Sequence, residues 1–328
     1  MEQTDRESWS YIARKPCGCL VMAVVDNPQH SRDVAKEVGK AIRLGETVSR
    51  VPSQVVREMP WKCAKHREAK EGEEIGAGDR EKTPRSSRTR IVTIRSRIEY
   101  LTGSWTPYSG CLHGSDICAT SETCWARSMA HRFHRSFLPS FHPEKWIGRD
   151  GGWAHFPRAA AHIGVAFTGD MFGDFNLDVI GEKAWEMAIK EILRCVDSRS
   201  NQRHRFYFLT KAPQNLARFN PWPQNALVGL SLTGAESTRQ EHEKLALLSD
   251  VQGGRIWLSY EPVLGWLTLD WPELAWLVIG AQSGAGAVKP ERGWIKSVEE
   301  VAERRGVPIW RKNNLVKALK IEPREERP

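Results

Sequence analysis

From residue 162 onward the chain alternates short apolar runs with amphipathic segments, an order that few folds can accommodate. The runs at 162–167, 205–209, 226–230, 255–259 and 275–279 are apolar on successive residues rather than on alternate ones, so each reads as a strand covered on both faces. Segments 178–195, 213–219, 236–248 and 295–305 have helical character, and 307–310 ends the series with another strand. Strands of this kind, separated by helices, pair in parallel through right-handed crossovers. The spacing predicts an α/β fold whose parallel sheet closes, or partly closes, into a (β/α) barrel. An open, doubly wound sheet is the alternative.

Composition permits such a core. Of 328 residues 40% are hydrophobic, enough for one large core or two unequal ones. No run approaches the ~20 apolar residues that cross a bilayer, and the first residues lack the apolar centre of a signal peptide, so we expect no membrane association and a cytoplasmic location. Seven cysteines in such a chain read as ligands, catalytic groups or buried thiols rather than as a disulfide framework. A formal net charge of +8 favours polyanionic partners only weakly, because 27% charged residues is ordinary. The 14 tryptophans read mainly as barrel packing, with base stacking as a lesser use.

Between residues 67 and 90, Glu, Lys, Arg, Gly, Ser and Thr dominate and apolar residues almost vanish. Such a segment cannot bury enough surface to offset the entropy of ordering it, so it reads as a flexible charged linker. It divides the chain into a small module at 1–67, the linker at 68–92 and a large domain at 93–328. Within the module, a β-rich run at 19–25, helical spacing over 31–44 and a strand at 47–51 describe an α+β unit. Cys17 and Cys19 lie at its start and Cys63 and His66 after it. Three thiols and an imidazole make a full tetrahedral zinc set, and so small a unit would gain stability from a metal. Unconnected thiols around a small core are the bland alternative. A closed zinc site leaves no position for substrate, so the module would hold its own shape or a protein partner.

In the large domain, Cys111, Cys118 and Cys124 fall within one short stretch. Thiolates are soft donors that suit an iron–sulfur cluster or zinc rather than a hard cation, and three of them leave one metal position open to a ligand. In barrels the loops leaving the C-terminal strand ends carry the chemistry, so the polar residues after each apolar run come next. Asp170 and Asp174 follow the first run, Lys211 the second, Ser231 and Thr233 the third, Glu261 the fourth, and the Gly-rich 280–286 with Ser283 the fifth. Ordinary roles compete for each. The aspartates could cap a helix, with Asp170 the stronger functional candidate. Lys211 could be solvated or could hold a carboxylate or phosphate. Glu261, just before Pro262, needs a hydroxyl, amino or cationic partner if it is buried. Cys195, late in a helical segment, reads as a core thiol, and His113, His131 and His134, candidate ligands beside the cysteines, read in preference as surface or supporting groups.

Taken in order, Ile98-Glu99-Tyr100-Leu101-Thr102, Trp105-Thr106-Pro107, Gly110-Cys111, Cys124-Trp125-Ala126, Leu209-Thr210-Lys211-Ala212-Pro213, Glu261-Pro262-Val263-Leu264-Gly265 and Gly280-Ala281-Gln282-Ser283-Gly284 resemble a phage-encoded radical SAM-like family of unknown function. That family is itself distantly similar to spore photoproduct lyase. The resemblance spans about 97–315 and lies in the ordered series rather than in any one segment. It implies the partial (β/α) barrel of radical SAM enzymes, preceded here by the small zinc-binding-like α+β domain. It further implies that Cys111, Cys118 and Cys124 ligate three irons of a [4Fe–4S] cluster while the fourth iron binds S-adenosylmethionine. Asp170, Ser231, Thr233, Glu261 and Ser283 would contact that cofactor or the substrate, and Asp170, Lys211 and Glu261 would serve catalysis. An electron donor for the cluster and a nucleic acid or nucleotide substrate complete the implied partners. Radical SAM enzymes usually space their cysteines three and two residues apart. Here six and five intervene, and a loop absorbs the extra residues if its ends still converge.

Two other functions fit the same residues. A zinc-stabilised nucleic-acid-binding or adaptor protein would use both cysteine groups structurally and need no catalysis. A metal-dependent hydrolase would use Asp170, Asp174 and Glu261 but leave the cysteine loop without a role.

Overall fold

The computed structural model describes the backbone of three N-terminal strands and residues 94–328, apart from 148–152, 155, 269 and 285. The expected zinc ligands Cys17, Cys19, Cys63 and His66, the helix at 31–44 and the linker at 68–92 lie outside the described residues. The N-terminal strands β1 (Trp9–Arg14), β2 (Leu20–Val25) and β3 (Thr47–Pro52) form an antiparallel sheet in the order β2-β1-β3. The second and third match the runs expected from the sequence. The first is a single six-residue strand whose Trp9, Tyr11 and Ile12 give too short a pattern to stand out.

The large domain is built on β4 (Ile94–Arg95), β5 (Gly103–Trp105), β8 (His162–Val165), β9 (Arg205–Thr210), β10 (Ala226–Leu232), β11 (Arg255–Tyr260), β12 (Trp276–Ile279) and β13 (Ile309–Arg311). A separate short pair, β6 (Tyr108–Ser109) and β7 (Ser140–Phe141), brackets the cysteine loop. The main sheet runs β13-β12-β11-β10-β9-β8-β5-β4, parallel at every pair except β4 with β5. A doubly wound sheet must reverse its strand order at a switch point, and this one never does. The winding is that of a (β/α) barrel, left open between β4 and β13.

Packing shows that the sheet curls. The Tyr100 ring lies 6.3 Å from that of Tyr207 on β9 and 6.2 Å from that of Trp310 on β13. In a flat sheet those two strands would stand about 19 Å apart, so one ring reaches both only if the sheet bends around it. The strand residues divide by parity. Phe206, Phe208, Val228, Leu230, Leu258, Leu277 and Ile309 join the core under the helices, whereas Tyr207, Leu227, Trp257, Trp276, Val278 and Trp310 meet Tyr100 and Leu101 inside the curl. Three of the 14 tryptophans, Trp257, Trp276 and Trp310, are therefore part of a floor that fills the half-barrel. Gly229 is required by that floor: a Cβ there would lie 2.3 Å from the Trp257 indole.

Among the described residues the α-helices are α1 (Trp125–Arg132), α2 (Glu182–Asp197), α3 (Thr238–Ser249), α4 (Arg292–Arg304) and α5 (Asn313–Leu319). In α2, Trp185, Ile189, Ile192 and Val196 are fully buried on one face, each worth about 1.5–3 kcal/mol in area removed from water. A single π turn, Leu177–Gly181, precedes it, so the regular helix begins later than the apolar spacing suggests. Ser237 and Gln240 form a reciprocal capping box that starts α3. Segment Pro213–Phe219 is a 3-10 helix. Beyond β13 the C-terminal tail closes the sheet edge, with Glu326 N–H donating to the Ile309 carbonyl and Arg327 stacked 5.1 Å over Trp310. Among the described residues, no helix is long and apolar enough to cross a membrane.

Candidate functional site at the strand ends

Following the inward parity from the aromatic floor toward the C-terminal strand ends turns the surface polar. Lys211 Nζ donates to Ser231 Oγ at 3.0 Å, and Ser231 Oγ donates to the Glu261 carbonyl at 3.2 Å. Lys312 Nζ, just past β13, lies 2.5 Å from Glu261 Oε1. Glu261 thus has the cationic partner its position demanded. Its side chain lies across β12, where a Cβ on Gly280 would come within 2.7 Å of the carboxyl carbon. Nearby, Asn314 Nδ2 donates to Ser283 Oγ at 3.1 Å and to the Ala281 carbonyl. Lys211, Ser231, Glu261, Lys312 and Ser283 therefore lie around one mouth.

Thr233 is used differently. Its amide and hydroxyl both donate to Glu236 Oε2, at 3.0 and 2.8 Å, which folds it into the turn before α3. Burial pushes the Glu236 carboxyl up, but the Thr233 donors and the charge of Lys244 outweigh it and hold the carboxyl below its ordinary range.

Asp170 is the anchor of the opposite side. Buried to 6% exposure, its carboxylate accepts from Thr210 Oγ1 at 2.8 Å, from the Lys211 amide at 2.9 Å and from the Phe172 amide at 3.1 Å. His113 Nε2 lies 2.9 Å from the second oxygen. Burial raises the Asp170 carboxyl, yet the hydrogen bond and charge of His113, with the Lys211 and Thr210 donors, prevail and lower it. Asp174 accepts from Gln214 Nε2 at 2.5 Å and Asn215 Nδ2 at 2.6 Å. Both aspartates therefore tie loops together instead of capping α2.

The cysteine loop leaves β5, the first parallel strand, and is pinned against the β8 loop. Gly110 bridges Gly169, and a Cβ on Gly169 would lie 2.3 Å from the Gly110 carbonyl oxygen. Ala166 at the end of β8 takes a φ of 57°, which turns the chain toward that bridge while its amide donates to the Trp105 carbonyl. Cys111, Cys118 and Cys124 are all free thiols. Cys111 and Cys124 are partly exposed and Cys118 is 9% exposed, whereas Cys195 is a sealed core thiol as expected. Burial and then the charge of Asp170 push the Cys111 thiol up, opposed by the hydrogen bond that its sulfur accepts from the His113 amide. Among the described residues no three His, Cys, Asp or Glu side chains converge as the ligands of a single ion do. That leaves the hydrolase reading without a centre. A cluster asks for a wider spread, since each thiolate binds its own iron.

Three groups at this mouth escape a reading of the sequence. His113 is a buried partner of Asp170 across 57 positions, Lys312 a partner of Glu261 across 51, and the buried Thr168 hydroxyl has no partner among the described residues. The sequence places His113 beside the cysteines as a ligand, surface group or support, and the structure makes it a buried support.

No curated protein matches the chain. Among solved structures, a mutant spore photoproduct lyase with bound AdoMet and dinucleoside spore photoproduct is similar at 13% identity and a TM-score of 0.38. The match covers 65% of this chain and 63% of that one, so the chain spans less than two thirds of that protein, and a likeness this remote carries no functional weight. Residues 95–316 match the model of a family described as a protein of unknown function, DUF5131, and because that stretch is more than half of the sequence, the chain belongs to the DUF5131 family.

Proposed function

We propose that the protein is a radical SAM-like enzyme in which Cys111, Cys118 and Cys124 hold a [4Fe–4S] cluster and the mouth of the half-barrel receives S-adenosylmethionine and substrate. One observation carries the reading: three free thiols on a single loop at the C-terminal mouth of a curled parallel sheet, braced to β8 through His113 and Asp170. The donor set fits, because thiols are the ligands such clusters take and three leave one corner free. Held by these thiols, such a cluster would supply the one-electron reduction of the cofactor's sulfonium that radical SAM chemistry needs.

The chain's own residues prepare the site. Asp170 gathers His113, Thr210 and the Lys211 amide, which fixes the cysteine loop relative to β8 and β9. Lys211 and Ser231 offer a cation and a hydroxyl to a carboxylate, Glu261 offers an acceptor to an amino group or a ribose, and Thr168 and Ser283 offer further hydroxyls. The aromatic floor excludes water from below, where a reactive radical would otherwise be quenched. A nucleic acid or nucleotide is the substrate class that the +8 charge favours, and an external one-electron donor is needed.

Anaerobic reconstitution with iron and sulfide tests this. The reading expects about four irons per chain, 5′-deoxyadenosine after reduction with S-adenosylmethionine, and loss of both in Cys118→Ala with the fold retained. Stoichiometric zinc in place of iron, or full iron loading in Cys118→Ala, sinks it.

A further inference from the structure

Seven large hydrophobic side chains are exposed among the described residues, and three of them belong to α1 and its C-terminal cap: Trp125 at 55%, Met129 at 43% and Phe133 at 58%. Their spacing of four residues puts them on one face, and the two rings stand about 12 Å apart along the axis. The same segment is cationic. From Trp125 to Phe137 it carries Arg127, Arg132 and Arg135 and neither an aspartate nor a glutamate. Among the described residues none of these arginines pairs with a carboxylate; the Arg135 guanidinium lies 5.9 Å over the Phe133 ring and that of Arg127 5.6 Å over the Phe137 ring. Exposed rings beside guanidiniums that meet no carboxylate among the described residues mark an interaction surface.

We propose that this face of α1 binds single-stranded nucleic acid, with unstacked bases on Trp125 and Phe133 and phosphates at Arg132 and Arg135, while Arg127 packs on Phe137 away from it. Rings give every base a stacking partner regardless of sequence, and arginines supply both phosphate contacts and cation–π support. A duplex keeps its bases stacked and offers these rings nothing, and an acidic protein would use the charges but leave the rings idle. Because Cys124 is the residue just before α1, a nucleic-acid strand lying on the helix passes the mouth described above. The surface stands on the helix alone, but its use as a substrate track rests on the proposed function.

Fluorescence anisotropy of short labelled single strands, DNA and RNA, with the reconstituted full chain tests the surface, alongside an iron count on the same sample. Matched duplex and polyglutamate serve as competitors. Trp125→Ala and Phe133→Ala should each weaken binding by about tenfold with an unchanged melting temperature, while Trp125→Phe stays near the parent. Arg132→Glu with Arg135→Glu should weaken binding and lower the salt dependence by about one unit of slope per lost phosphate contact. Unchanged affinity in the ring variants, duplex binding as tight as single strand, or polyglutamate displacing the strand at equal charge overturns the proposal. Normal iron with no strand bound rejects this surface and leaves the radical reading standing; strand bound without iron does the reverse.

Discussion

His113 Nε2 lies 2.9 Å from Asp170 Oδ2, with both side chains buried, and this contact joins the loop that carries the three cysteines to the strand end that carries the polar mouth. The Phe175 ring stands 4.9 Å from the imidazole and leaves it little freedom to turn. The pair sets the position of the cysteine loop, and its removal should be felt there first.

His113→Ala should therefore destabilise the protein by roughly 2–3 kcal/mol, the loss expected when a buried carboxylate gives up a hydrogen-bond partner. His113→Ala with Asp170→Asn should recover part of that loss, because the carboxylate is gone. Urea unfolding of the single and double variants decides it; strictly additive losses would show that the two residues do not act as a pair.

Stability should fall as pH rises through neutrality because of Glu241. Its Oε2 accepts from the Thr268 amide at 2.8 Å, while its buried Oε1 has no partner among the described residues. Burial, helped by the charge of Glu236 and opposed by that amide, raises its pKa to about 7. A carboxyl raised in the fold contributes stability that is complete below its unfolded value, about 4.3, and lost as pH rises through about 7. Urea midpoints from pH 5 to 8 should decline for the parent by the equivalent of roughly 2 kcal/mol and stay level for Glu241→Gln. Parallel curves would remove Glu241 from the account.

Gly229→Ala should cost about 3 kcal/mol, because the added methyl meets the Trp257 indole and the Phe208 carbonyl at 2.3 and 2.9 Å. Pairing it with Trp257→Phe relieves the overlap and should restore part of the loss. A melting temperature unaltered in Gly229→Ala would mean the floor is looser than its packing implies.

At the mouth, Lys312→Met leaves the Glu261 carboxylate without its ion-pair partner, whereas Lys312→Met with Glu261→Gln removes both charges. The single variant should be the less stable of the two by about 2 kcal/mol. Thermal melts compare them directly, and equal stability would place the pair in solvent as far as energy is concerned.

Much of this fold was legible because each inner strand is apolar on both faces, a pattern that survives in the bare sequence at 205–209, 226–230, 255–259 and 275–279. The positions of Lys211, Ser231 and Glu261 followed, since strand ends can be counted. What stayed hidden was short or long-range. Gly103–Trp105 is three residues long and carries no apolar run, so the strand that launches the cysteine loop leaves no local signal. The partners His113 and Lys312 lie 57 and 51 residues from the carboxylates they meet, and no spacing rule connects such pairs. Nor could Thr233 be told from a ligand contact, because its use by Glu236 depends on how one turn closes.

The aromatic floor gives the half-barrel a blind end. With Tyr100, Tyr207, Trp257, Trp276 and Trp310 packed across it, nothing can drain from beneath. Whatever enters from the side of the strand ends can leave by that side or through the opening between β4 and β13, but not through the floor. Under the proposed function, product release would therefore run past the strand-end loops or through that opening, and the aromatic end would take no part in it.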